Sequence, residues 1–216
     1  IKYVFETHFH ADFVSGHIDL AARSGGTVVF GPTATPGYAA RVAVDGQLFP
    51  LGKINIRVLH TPGHTIESAC FLLIDELGKD HAVFTGDTLF VGDVGRPDLL
   101  SGNLSKEELA AMLYESLKNK IKTLSADVIV YPGHGAGSAC GKNISKQAYS
   151  TIGEQMETNY ALLATDKDEF ISKVTSDLPA PPPYFFKDAA INKTGYKDFQ
   201  QVTDVSLKAL PVDEFI

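Results

Sequence analysis

Thr7-His8-Phe9-His10-Ala11-Asp12-Phe13 sets two histidines and a carboxylate at alternating positions directly after an apolar run, Ile1-Lys2-Tyr3-Val4-Phe5. The β-branched and aromatic residues of that run predict a buried strand. Its end would throw His8, His10 and Asp12 toward one pocket. Imidazole and carboxylate are ligands that divalent transition metals prefer, and several within a few residues cost little entropy to organise. A lone His-x-His can also be an accident of the surface or core, so the rest of the chain has to supply more ligands.

Three later stretches supply them. Thr61-Pro62-Gly63-His64-Thr65 holds His64 on a Pro-Gly turn. The strand predicted over 81–84 runs into Thr85-Gly86-Asp87, and the one over 127–131 ends at Pro132-Gly133-His134-Gly135. Strand after strand thus terminates in His or Asp, the pattern of a site built at one edge of packed sheets.

Between these motifs the apolar periodicity marks ordinary elements. A helix is expected over 14–23 with Ile18, Leu20, Ala21 and Ala22 toward the core, then a strand over 27–30. Residues 33–46 read as a loop or short helix over the pocket, 47–51 and 54–59 as a hairpin, and 69–74 as a strand. The clearest helix spans 105–124, with Ser105 and Glu108 as a capping box and a stripe from Leu109 to Leu124 as core. Helices are expected over 145–163 and 166–176, followed by a proline break at 179–183 and an irregular tail. Because 1–5 reads as a central, doubly buried strand, further residues are expected ahead of position 1.

With 216 residues, 44% of them hydrophobic and 21% charged, the chain has the composition of an ordinary globular protein. A net charge of −7 without any basic block argues against nucleic acid and anionic membranes as partners. No apolar stretch approaches the ~20 residues of a membrane span. Two cysteines, Cys70 and Cys140, are too few for a disulfide framework, so a cytoplasmic location is expected.

Collected in order, His8, His10, Asp12, His64, Asp87 and His134 lie in THFHAD, TPGHT, FTGDTLF and YPGHG. These four motifs resemble the metallo-β-lactamase superfamily over most of the chain. The resemblance implies an α/β protein, an αββα sandwich over residues 1–200, with 201–216 as a tail or linker. Many hydrolases of that superfamily hold two metals with a longer opening motif, His-x-His-x-Asp-His. Here Phe13 follows Asp12 and cannot ligate, so one metal is expected.

Within the superfamily the chain is most similar to persulfide dioxygenases, particularly bacterial ones that can be fused to a rhodanese domain. These resemble glyoxalase II in fold and use a single Fe(II). Carried over by motif, the iron ligands are His8, His64 and Asp87, a facial triad that leaves positions open for oxygen chemistry. His10, Asp12 and His134 then orient ligands and hold water. The implied reaction oxidises a thiol persulfide, such as glutathione persulfide, with O2 to sulfite and free thiol, with one Fe(II) per chain.

Gly95-Arg96 matches a pair that helps bind the glutathione portion, and Tyr131 a pocket tyrosine near the iron, which makes Tyr131 both substrate-binding and catalytic. An Arg fork suits a carboxylate, although a plain ion pair is the alternative reading. Asp93 and Asp98 flank Arg96 and could orient it. Cys140 sits in a glycine-rich loop, a poor place to bury a thiol; it accepts a persulfide sulfur or gates the pocket, or it is inert. Cys70 is core. His17, His60 and His81 are expected to be local hydrogen-bonders. Residues 207–215 resemble the lead-in to a rhodanese domain, so a fused or separate rhodanese is an expected partner, as is a second copy in a homo-oligomer. The alternative activity is a glyoxalase-II-like thioester hydrolase, against which stand Phe13 and the lack of a distinct helical domain after His134.

Overall fold

In the computed structural model, which describes residues 1–99, 103–209, 211 and 213, the opening run forms β1 (Tyr3–Glu6). It pairs in parallel with β2 (Thr27–Phe30), which pairs in parallel with β3 (Arg41–Val42). The crossover between the first two is α1 (His17–Ser24), stopped by Gly25 at φ 70°, a left-handed conformation that suits glycine. The second sheet has six strands in the order β4 (Leu48–Leu51), β5 (Ile54–His60), β6 (Ala69–Ile74), β7 (Asp80–Gly86), β8 (Ile129–Pro132), β9 (Ser150–Thr151). Only β7 and β8 run parallel in it, joined through α2 (Lys106–Ser116) and a π-helical turn, Leu117–Ile121.

Strand β6 explains the layering. Ala69, Phe71 and Leu73 point toward the first sheet and, with Phe49, Ile56 and Val58 of the neighbouring strands β4 and β5, pack against its Val29. Cys70, Leu72 and Ile74 point the other way, against Ala110 and Leu113 of α2 and Phe170 and Val174 of α4 (Lys167–Thr175). On the far side of the first sheet, Val4, Val28 and Phe30 are covered by Phe9, Ala34 and Ala21 of α1. The order helix, sheet, sheet, helix is the expected αββα sandwich. Both faces of each sheet are thereby removed from water, and that burial is the main source of stability.

Several expectations need correcting. The burial of β1 alternates rather than being complete. Helix α1 buries only His17, with Leu20 exposed, because it lies at the rim of the small sheet. The segment 33–46 contains β3 and packs against the end of α5 (Phe185–Thr194), where Gly37 N donates to Lys193 O. The helix expected over 145–163 shrinks to α3 (Ile152–Thr158), because Ser150 and Thr151 complete the sheet edge against β8. The tail after the prolines is not irregular: it forms α5 and α6 (Phe199–Ser206), and the boundary expected at 200/201 falls inside α6. Of the rhodanese-like stretch, residues 210, 212, 214 and 215 lie outside the described residues. No helix among the described residues is long and apolar enough to cross a membrane.

Candidate metal centre

The chain passes from the end of β1 to the end of β7 at van der Waals range: a side chain on Gly86 would meet Thr7 at 2.6 Å, and one on Gly133 would meet Asp87 Oδ1 at 2.6 Å. Glycine at those two positions is what lets three strand ends deliver their ligands to one point. Gly63, at φ 147°, lays the His64 turn directly on the backbone of Leu113 in α2.

Each ligand's free atom is set by what its other atom does. His64 Nδ1 lies 2.8 Å from the carbonyl oxygen of Arg96; a carbonyl only accepts, so Nδ1 carries the proton and Nε2 the lone pair. His8 Nδ1 is occupied by Thr7 Oγ1 at 3.0 Å, leaving its Nε2 to face inward. Asp87 Oδ2 lies 3.4 Å from His64 Nε2 and 3.9 Å from His8 Nε2. All three side chains are buried, and the three ligand atoms lie within 4.8 Å of one another. These are the three residues the resemblance assigned to iron.

A second group stands beside the first. His134 Nε2 is 3.4 Å from Asp12 Oδ2 and 3.4 Å from Asp87 Oδ1, while His10 Nδ1 is 3.9 Å from Asp12 Oδ1. His10, Asp12 and His134 also bring ligand atoms within 4.8 Å, as do Asp87, His134 and Cys140. Asp87 therefore turns one oxygen to each group.

Both Asp87 oxygens, Asp12 Oδ1, His10 Nδ1 and His134 Nε2 are buried without a hydrogen-bond partner. Stranding one buried carboxylate alone costs several kcal/mol, on the order expected for an uncompensated ion. A divalent cation on His8, His64 and Asp87 would answer the Asp87 carboxylate, so the residues present fit a metal. Burial pushes His8 well below the usual imidazole range and lowers His10 too, which keeps both neutral as ligands must be. For Asp87 burial opposes ionisation, but His8, His134 and His64 outweigh it and hold the carboxyl well below its ordinary value. His134 is raised in spite of its burial by Asp87 and Asp12.

Phe13 makes no ligand. Its exposed ring lies 4.6 Å from that of His10, and it lines an open cavity of about 330 Å³ with His10, Phe84 and Tyr131. Tyr131 is half-exposed at that mouth, its ring stacked on Phe84 at 5.5 Å.

Arg96 is placed differently from the expectation. It is buried, with Nε and Nη2 on the Asp98 carboxylate at 2.7 and 2.8 Å and further bonds to Pro179 O and Ala139 O. Four of the five guanidinium donors are thereby taken up inside the protein, so a substrate carboxylate does not fit this arrangement. Asp98 orients Arg96 as expected. Asp93 does not; it accepts from the backbone of Lys142 and Asn143 at 2.6 Å each. Cys140 is 1% exposed despite its glycine-rich loop, because Ala11, Phe90, Leu99 and Phe185 close over it. Burial, with Asp87 and Asp12 nearby, pushes its thiol well above the ordinary range.

Among the buried polar residues that the sequence reading passed over are Glu6 and Asn192. Glu6 directly follows the apolar run, and Asn192 lies in a stretch without periodicity. Neither carries a motif.

The profile of the metallo-β-lactamase superfamily matches residues 27–134. A hydroxyacylglutathione hydrolase of Brucella anthropi is 31% identical over 205 residues, 92% of this chain and 73% of that protein. The chain belongs to the metallo-β-lactamase superfamily. It shares the superfamily fold with a metallo-β-lactamase from Staphylococcus aureus subsp. aureus COL at a TM-score of 0.86, 37% identity, over 93% of this chain and 61% of that one. ETHE1 from Myxococcus xanthus follows at 0.73 and 30% identity, over 89% and 76%. The chain spans 57% and 48% of the length of two Schizosaccharomyces pombe relatives that it matches at 31% identity. Within this superfamily fold the chain gathers a His/Asp site able to hold a metal.

Proposed function

We propose that the protein is a persulfide dioxygenase that holds one Fe(II) on His8, His64 and Asp87. The observation that carries this reading is the buried two-His, one-carboxylate trio beside a second group from which Phe13 withholds a ligand. The motif resemblance to persulfide dioxygenases supports it, and so does the likeness to ETHE1 from Myxococcus xanthus at 30% identity. The overall change is R-S-SH + O2 + H2O to R-SH and sulfite with two protons; the terminal sulfur is oxidised and O2 takes up the electrons. When bound, the iron supplies the redox chemistry that joins O2 to that sulfur.

The chain's own residues do the rest. Thr7 and the Arg96 carbonyl fix the two histidine rings so that neutral Nε2 atoms face the metal position. His134, its Nε2 3.4 Å from Asp87 Oδ1 and from Asp12 Oδ2, stands beside the reacting groups as the residue placed to relay a proton. Phe13, Phe84 and Tyr131 form an aromatic mouth that limits water and places a phenol hydroxyl where a carrier thiol would enter. Cys140, within ligand reach of Asp87 and His134, is the proposed wall of the sulfur-binding side.

A specific observation favours a second reading, a thioester hydrolase with two metals. Asp87 offers one oxygen to each ligand group, and the Brucella anthropi relative is named a hydroxyacylglutathione hydrolase. Helices α3 and α4 follow His134, but they belong to the sandwich core and form no separate substrate domain. Oxygen uptake by anaerobically purified, Fe(II)-loaded protein on adding glutathione persulfide, with sulfite quantified alongside, decides between the two. Matching O2 loss and sulfite support the dioxygenase; no uptake with cleavage of a glutathione thioester supports the hydrolase.

A further inference from the structure

The loop that carries His10 and Asp12 is tied to the far end of the chain. Asn192, in α5, donates through Nδ2 to the carbonyl oxygens of His10 and Phe13, both at 2.7 Å, and accepts at Oδ1 from Ser15 N at 2.8 Å. The amide orientation is unambiguous: two carbonyls can face only the NH2 group, and an N–H only the oxygen. Asn192 is 1% exposed and makes these bonds to backbone alone, so it reads the shape of the loop and no side chain in it. The helix end is braced in turn. Tyr38 OH donates to Asn192 O at 2.8 Å, and Gly37 N to Lys193 O at 2.7 Å. At the loop's other end Phe9 N donates to Glu67 Oε1 at 3.1 Å.

We infer that Asn192 is a positioning residue for the metal centre, clamping the His10–Phe13 turn so that His10 and Asp12 face His134 across the cavity. The triad of His8, His64 and Asp87 is held by other contacts and does not depend on it. The inference stands whichever of the two reactions the site performs, because both groups of ligands belong to the centre in either case.

Asn192→Asp tests it. The aspartate keeps the acceptor for Ser15 N, loses the donors and sets a carboxylate oxygen against two carbonyls. Tyr38→Phe is the comparison: it removes the hydroxyl that bonds Asn192 O and His17 Nε2 and leaves the three side-chain bonds of Asn192 to the loop in place. Three readouts are taken on metal-loaded protein: hydrogen exchange over residues 9–15, the visible spectrum of the Co(II) form, and turnover. In Asn192→Asp, loop exchange rises and the Co(II) bands shift, while the metal held by His8, His64 and Asp87 is retained. Misplacement of groups by about 1 Å costs up to ~100-fold, so kcat is expected to fall at least about tenfold with KM within about twofold. Tyr38→Phe keeps the wild-type spectrum and kcat even if its melting temperature falls as far.

Wild-type spectrum and loop exchange in Asn192→Asp overturn the inference. So does an equal loss of kcat and spectrum in Tyr38→Phe, which would reduce Asn192 to general support of the helix. If the aspartate variant does not fold, Asn192→Ser carries the same comparison. If wild-type protein turns over neither persulfide nor thioester, the proposed function fails, and the spectrum and exchange still decide Asn192.

Discussion

Asp87 is the one side chain that faces both ligand groups, and its carboxylate is kept ionised inside the protein only by the imidazoles around it. Asp87→Ala is therefore expected to lower metal affinity by more than the ~100-fold typical of losing a mere supporting contact. Metal content after gel filtration measures this, and unchanged content would remove Asp87 from the centre. Arg96 sets the opposite case. Its guanidinium joins Asp98, the 139 carbonyl and the 179 carbonyl, so Arg96→Ala should cost about 3 kcal/mol of unfolding free energy, the scale of a broken buried ion pair. Urea denaturation reads that loss. A variant of wild-type stability with a raised KM would instead return Arg96 to substrate binding.

At the scale of elements, the centre exists because strand ends and tight loops come to one edge. Gly95 shows how little room they leave: an added Cβ would run into the backbone carbonyl of Asp87 and come within 3.1 Å of His64 Cγ. Gly95→Ala must push either the Asp87 strand end or the His64 turn away, so it is expected to destabilise by about 1–3 kcal/mol and to weaken metal retention together. Thermal melts of metal-loaded and metal-free protein separate the two effects. Helix α2 illustrates the reverse, an element whose limits are local: Ser105 accepts from Glu108 N at 3.1 Å and Glu108 accepts from Ser105 N at 2.7 Å. That capping box needs nothing beyond four consecutive residues.

For the whole molecule, closure of the layers buries polar groups such as Glu6, which lines the cavity that His10 and Phe13 share. Burial raises its carboxyl to about 7 in spite of the hydrogen bond from the Ser15 hydroxyl. Between the ordinary carboxyl value of 4.5 and about 7 the folded chain holds a proton that the unfolded chain has released. Stability is therefore full below that window and falls as pH rises through it. His17, lowered by burial to about 4, has the opposite slope from 6.5 downward, since there the unfolded chain binds the extra proton. The two slopes oppose each other at mildly acid pH, and that of Glu6 continues up to about 7. Glu6→Gln should gain on the order of 3 kcal/mol over wild type at pH 8 and little at pH 4.5. A difference independent of pH in urea titrations would show that Glu6 stays ionised throughout.

The His and Asp residues gathered at the candidate centre, the strands that deliver them and helix α2 were legible in the chain alone. Each strand-end group is written within about seven residues: an apolar run, then His or Asp, with glycine or proline at the turn. The absence of a ligand at Phe13 was equally plain, being a matter of residue type. What the linear order did not contain was which distant groups meet. Arg96 is bound by a carbonyl 83 positions away and the His10 loop by an amide 182 positions away. Cys140 is buried by Phe185, which lies beyond a proline run that hid α5 from any periodicity. The gathering of His10, Asp12 and His134 into a second group, with Asp87 turned to both, likewise depends on strand ends brought together by sheet packing. Ligand chemistry is a property of side chains and survives in the sequence; burial and partnership are properties of the folded layers, because only closure of the sandwich removes water from those groups and obliges them to pair.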